Sequence, residues 1–194
     1  MTATGDATVA APTAAELRMN AAREFIARVR GLDRGELAAL KRNAGNTLGE
    51  ARGVPWFNRL LDEDGRRNPE IPFLVATLLG LNKHSASGDF GQSMHLLSSQ
   101  HGAEAVDRRF RILLDSEFEL VDGWKPAGGE LAYRLRQMVK LAASREVGLD
   151  WAQLLLDLRR WNMPGKPVQR RWAESFYAPR HREPSATDSP GPAA

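Results

Sequence analysis

The sequence predicts an all-α fold of eight to nine helices in two packed helical bundles. Three observations lead to this. Apolar residues recur at helical spacing in every long segment, and several of these segments open on a Thr or Asp placed to cap a helix. Sustained period-2 alternation, the mark of a half-buried strand, is absent, and "FELV" (Phe118 to Val121) is too short to build a sheet.

The elements follow in order. "TAAE" (Thr13 to Glu16) has capping-box spacing, and Leu17, Ala21, Phe25 and Val29 then repeat up to Gly31. "DRGE" (Asp33 to Glu36) caps a second helix whose Leu37, Leu40 and Ala44 share a face. "GNTLGEARG" (Gly45 to Gly53) reads as a loop. Pro55 suits the first turn of a short third helix bearing Trp56, Phe57, Leu60 and Leu61, and Asp62 to Glu70 reads as another loop. Ile71 to Leu81 is apolar on all sides and belongs at the centre. Asn82 to Gly91 reads as a polar, flexible link.

Phe90, Met94 and Leu97 begin a fifth helix. A sixth, Ala103 to Asp115, places Val106, Phe110, Leu113 and Leu114 on one face. "GWKPAGG" (Gly123 to Gly129) is the clearest break. Helical segments at Glu130 to Val147, Asp150 to Trp161 and Pro167 to Tyr177 complete the chain. The expected organisation is a disordered tail (1–12), an N-terminal bundle (13–122), a junction (123–129), a C-terminal bundle (130–177) and a proline-rich disordered tail (178–194). The expected core includes Phe73, Leu74, Leu78, Phe110, Leu114, Leu135, Leu155, Leu158, Trp161 and Trp172.

Composition narrows the function. With 194 residues, 42% hydrophobic and 26% charged, the chain can bury a core. It has no cysteine, which excludes disulfides, thiolate metal sites and a Cys nucleophile, and suits a reducing cytoplasm. The start lacks the basic region of a signal peptide, and no apolar run approaches the roughly 20 residues of a membrane span. His84, His95, His101 and His181 form no metal-ligand spacing, and no phosphate-cradling glycine motif is present. The expectation is a protein that is not an enzyme and needs no metal or other cofactor.

The basic residues are more informative. "RRWNMPGKPVQRRW" (Arg159 to Trp172) holds five positive charges and no negative one. Trp161 and Trp172 fall on apolar stripes and read as core. Arg160 and Arg170 point away from those stripes, Arg159 and Arg171 lie at their flanks, and Lys166 sits in the turn. Such an array suits phosphate contacts, which need charge and reach but no base reading. Lys41 and Arg42 end the second helix, where cations also favour the helix dipole, and Arg52 closes the glycine-rich loop. Arg136 and Lys140 are expected on the outer face of the seventh helix, whereas Arg134 and Arg145 fall beside its apolar stripe, positions that line a groove or an interface. Arg109 borders the apolar stripe of the sixth helix and has no i, i+4 partner. The "DRRFR" face is largely self-neutralised by i, i+4 pairs such as Asp107 with Arg111.

Read in order, "ELAALKRNAGNTLGEARGVPWFNRLL", "FLVATLLGLNKHSASGDFGQSMHLL", "DRRFRILLDSE", "LRQMVKLAASREVGLDWAQLLLDLRRWN" and "VQRRWAESFY" resemble the CasB family, the small subunits of the type I-E CRISPR surveillance complex Cascade. The resemblance spans about Glu16 to Tyr177 and closes on W-A-x-x-F-Y at Trp172 to Tyr177. It implies a non-catalytic helical subunit that binds nucleic acid without sequence preference and helps hold an R-loop open. The implied partners are displaced single-stranded DNA, with double-stranded DNA or guide RNA as further candidates, a second copy of the chain, and the backbone and large subunits of Cascade, with no membrane. The family's basic surface is matched here by Lys41 and Arg42 and by Arg136. The family pattern has two arginines at the first position, so Lys41 supplies a point charge in place of a fork.

The nucleic-acid-binding candidates are therefore Lys41, Arg42, Arg52, Arg136, Arg159, Arg160, Lys166 and Arg170. Two other classes compete. One is a helical adaptor whose basic faces meet acidic proteins. The other, ranked last, is a small dimeric DNA-binding regulator, because Gly31 to Gly35 precedes a helix with no evident recognition face.

Overall fold

Both N-terminal caps form as expected in the computed structural model, which describes residues 11–100, 102–118, 120–121, 125–126 and 128–178. Thr13 Oγ1 accepts from the Glu16 N–H at 3.2 Å while the Glu16 carboxylate accepts from the Thr13 N–H at 2.7 Å, opening α1 (Ala14–Arg30). Asp33 and Glu36 repeat the reciprocal pair at the start of α2 (Arg34–Arg42). Each satisfies donors that the first helical turn leaves orphaned.

The third element differs from expectation. Phe57–Leu60 forms a 3₁₀ turn, and the helix lies in the following segment, which the sequence reads as loop: α3 (Glu63–Arg67). The Asp62 side chain accepts from the Gly65 N–H at 2.7 Å. Acids then occupy the first turn of α3 and arginines its last, both matching the helix dipole. A five-residue helix shows too little periodicity to be seen in sequence.

The remaining helices are α4 (Glu70–Leu81), α5 (Phe90–Gln100), α6 (Ala103–Asp115), α7 (Gly129–Ala143), α8 (Trp151–Arg159) and α9 (Pro167–Tyr177). Among the described residues there are nine α-helices. The only strands there are β1 (Leu120–Val121) and β2 (Lys125–Pro126), an antiparallel pair with Leu120 opposite Pro126. The fold is all-α. Residues 1–10 and 179–194, which hold most of the two expected tails, and 122–124 in the junction region lie outside the described residues.

α4 is the axis. Ile71 through Leu79 are all buried, because α2, α7 and α8 pack around it. Gly80 lets α2 approach closely: a Cβ there would lie 3.2 Å from the Lys41 backbone nitrogen. Helices from either side of the 123–129 segment also interleave, α1 against α8 and α5 against α9. One hydrophobic cluster runs from Ala22 to Phe176 and takes residues from both sides.

The 82–91 segment, expected to be flexible, is fixed by specific bonds. Asn82 Nδ2 donates to the Val147 carbonyl at 3.0 Å, and Ser85 makes a parallel bridge to Leu149. A Cβ on Gly148 would lie 2.5 Å from the Ser85 carbonyl carbon, so only glycine fits.

Three tryptophans anchor the C-terminal helices. Trp151, Trp161 and Trp172 are each at most 2% exposed. Every indole N–H has an internal acceptor: Trp151 donates to the His84 carbonyl, Trp161 to the Ser116 carbonyl and Trp172 to Asp157 Oδ2. With their polar edges satisfied and their faces packed, they are core residues rather than base platforms. Nine of the ten expected core residues are buried; Leu114 is only partly so.

Candidate nucleic-acid interface

α2 delivers Lys41 and Arg42 on its last turn, both exposed. Its C-cap, Asn43, is buried and reaches across the following loop. Asn43 Nδ2 donates to the carbonyls of Ala39 and Arg52, each at 2.9 Å, and its Oδ1 accepts from the Arg52 N–H at 3.0 Å. One side chain therefore closes the helix and fixes Arg52 to its end. The sequence shows no sign of this staple beyond an Asn at a helix terminus.

The loop then turns against α7. Gly45 has φ +101°, and a Cβ there would meet Arg136 Cδ at 3.0 Å. Farther along, a Cβ on Gly128 would lie 3.0 Å from Thr47 Cγ2. Arg136 is thus not on the outer face of α7, as the sequence predicts; it lies half-buried against the loop that follows α2. Its Nε is buried without an acceptor among the described residues. Lys41, Arg42, Arg52 and Arg136 come from three elements to the same loop, and none has an ion-pair partner among the described residues.

The nearby acids are engaged by the loop itself. Glu50 accepts from the Thr47 N–H and hydroxyl, both at 3.0 Å, which holds its carboxyl below the usual range. Glu70, at the head of α4, accepts from the Leu48 N–H at 2.8 Å. Burial nevertheless pushes its carboxyl up, outweighing that bond, and Glu50 adds to the rise.

The other four candidates form a second group on the α8–α9 hairpin. Arg159 ends α8 beside Asp62 and Leu155. Arg160 is its C-cap and points its Nε at Met163 Sδ, 3.4 Å away. Lys166 starts α9 with φ +50° and lies 4.0 Å from Glu117, an exposed pair of little energetic weight. Arg170 is exposed and makes no ion pair among the described residues. Neighbouring Arg171 instead binds two buried acids, with Nη2 at 2.5 Å from Asp157 and Nε at 3.4 Å from Asp89. It is a structural tie between α9, α8 and the start of α5.

No group of three His, Asp or Glu side chains is arranged to hold a metal ion among the described residues. His95 bonds the Phe176 carbonyl through Nδ1 at 2.6 Å. No helix among the described residues is long and apolar enough to cross a membrane. The surface therefore offers two sets of cations on a helical frame, all of them exposed except the half-buried Arg136.

A family model described as CRISPR-associated protein Cse2 matches residues 36–177. A CRISPR-associated protein Cse2 from Thermus thermophilus is 32% identical over 128 residues, which is 65% of this chain and 68% of that protein. Among solved structures, the crystal structure of M. ruber CasB superposes with a TM-score of 0.64 at 28% identity, covering 81% of this chain and 92% of that one. A chain of a CRISPR RNA-guided surveillance complex gives a TM-score of 0.64 at 18% identity, covering 82% and 92%, a likeness of fold. The matched span runs from α2 to the end of α9 and includes every candidate cation.

Proposed function

The chain belongs to the CRISPR-associated Cse2 family, and from that premise we propose that it is a non-catalytic, sequence-independent nucleic-acid-binding subunit of a type I-E Cascade complex. In this reading it stabilises the R-loop by holding the displaced DNA strand. Its partners are that strand, a second copy of itself, and the backbone and large subunits of the complex. A surveillance-complex chain of the same fold supports the placement.

The observation that carries the proposal is the convergence of Lys41, Arg42, Arg52 and Arg136 on one loop, without ion-pair partners among the described residues. In RNA-guided recognition, base pairing reads the sequence, and the protein has only to grip a strand that has lost its partner. Exposed cations on a rigid frame supply that grip through phosphates. The hairpin cations Arg159, Arg160, Lys166 and Arg170 offer a second track.

Binding of unrelated single- and double-stranded DNAs across a salt series tests the reading. Affinity should fall linearly with log salt and vary little with sequence. In the assembled complex, replacing Lys41 and Arg42 by Ala should preserve guide-RNA loading and lower the yield of complete R-loops. Salt-insensitive or absent DNA binding, with normal R-loop yield in that double variant, would instead favour the helical adaptor.

A further inference from the structure

Between α6 and α7 lies a concavity of about 240 Å³ that neither cation group occupies. Arg109 enters it from α6; Tyr133, Arg134, Gln137 and Met138 enter it from α7. Tyr133 is 53% exposed, while Met138, at 1%, closes the apolar floor. The Arg134 guanidinium lies over the Tyr133 ring at 5.7 Å. Glu130 receives Arg134 Nε and Nη2 at 3.2 and 3.0 Å, which orients that guanidinium and neutralises it. Arg109 makes no ion pair among the described residues and is exposed.

We propose that this pocket takes one unpaired nucleotide of a single strand, its base stacked on Tyr133 and its phosphate on Arg109. The inference rests on the nucleic-acid reading above and adds to it a contact of different chemistry. Any base presents a π-face, so stacking on Tyr133 requires no sequence. The Gln137 amide offers both a donor and an acceptor and so tolerates different base edges. The volume is below the roughly 300–1,000 Å³ of ordinary small-molecule sites, which suits a single ring system projecting from a chain. Paired bases in a duplex are stacked on one another and cannot enter. An acidic peptide would satisfy Arg109 and leave the aromatic face unused.

The test uses the full chain and a fluorescein-labelled oligothymidylate. Tyr133→Ala should weaken binding by about 5- to 150-fold with an unchanged salt slope, because stacking releases no counterions. Tyr133→Phe should retain native affinity. Arg109→Ala should lower the slope by about 0.7. Duplex affinity should be the same in all three variants except for the lost Arg109 charge. Native-like oligothymidylate affinity in Tyr133→Ala, with the Lys41 and Arg42 double variant weakened, overturns the pocket alone. A native chain that binds neither single nor double strand at low salt overturns the functional reading and the pocket with it. Equal competition by poly-glutamate in native protein and Tyr133→Ala, with no loss of DNA affinity in the latter, assigns the pocket to an acidic segment and also overturns the proposal.

Discussion

Trp172 donates its indole N–H to the buried carboxylate of Asp157 at 2.6 Å. The other Asp157 oxygen receives Gln153 and Arg171. A buried carboxylate is costly unless its oxygens are bonded and its charge is paired, so this one depends on two hydrogen-bond donors, Gln153 and Trp172, and on the Arg171 charge. Trp172 therefore has two roles: its ring fills the core against Phe90 and Trp161, and its edge pairs a buried charge.

Trp172→Ala should destabilise the protein by about 3–5 kcal/mol, as loss of a buried aromatic does. Trp172→Phe keeps a ring but leaves Asp157 Oδ2 without its donor, and should cost about 1–3 kcal/mol. Chemical denaturation measures both. Unchanged stability in Trp172→Ala, together with loss of DNA binding, would show that the ring stacks on bases instead.

The Lys41 and Arg42 double Ala variant should flatten the slope of log affinity against log salt for single-stranded DNA by about 1.4, or about 0.7 per phosphate contact. Its melting temperature should fall little, because the two cations stabilise the end of α2 by at most about 1 kcal/mol each. A slope equal to the native one would remove this pair from the interface.

Gly45 and Gly49 lie in the same loop but in different surroundings. A side chain on Gly45 must adopt φ +101° and press on Arg136, whereas nothing lies within 4 Å of a Cβ on Gly49. Gly45→Ala should cost about 1–3 kcal/mol and weaken DNA binding by displacing Arg136. Gly49→Ala should be near neutral in both. Equal behaviour of the two variants in thermal melts and gel shifts would contradict the packing of Arg136 on this loop.

Glu70 makes stability depend on pH. Its carboxyl is raised above the ordinary 4.5 by burial, so the folded chain holds this proton more tightly than the unfolded chain. The stabilisation from that proton is fully present below the ordinary value and is lost as pH rises through the raised one. Glu70→Gln keeps an acceptor for the Leu48 N–H and removes the titration. Relative to the native chain, the variant should gain stability as pH rises from about 4 to about 7. A stability difference that stays flat across that range would argue against the shift.

By itself the sequence determined every described helix except α3, and their order. α6 and α9 begin and end where their apolar periodicity places them, because each helix is specified by contacts three and four residues apart. It also determined that Trp161 and Trp172 belong to the core, since both lie on apolar stripes. α3 escaped notice because five residues carry almost no period, and its start depends on one Asp62 hydrogen bond. Lys41 and Arg42 were legible as the end of a helix, and Arg109 and Arg134 as borders of apolar stripes. Only the tertiary structure decided what those cations meet. Arg136 reaches Gly45, and Arg109 shares a concavity with Tyr133, because α2 packs on α4, α4 on α7 and α7 on α6. Proximity between residues far apart in the chain follows from how helices pack, and no local period encodes it.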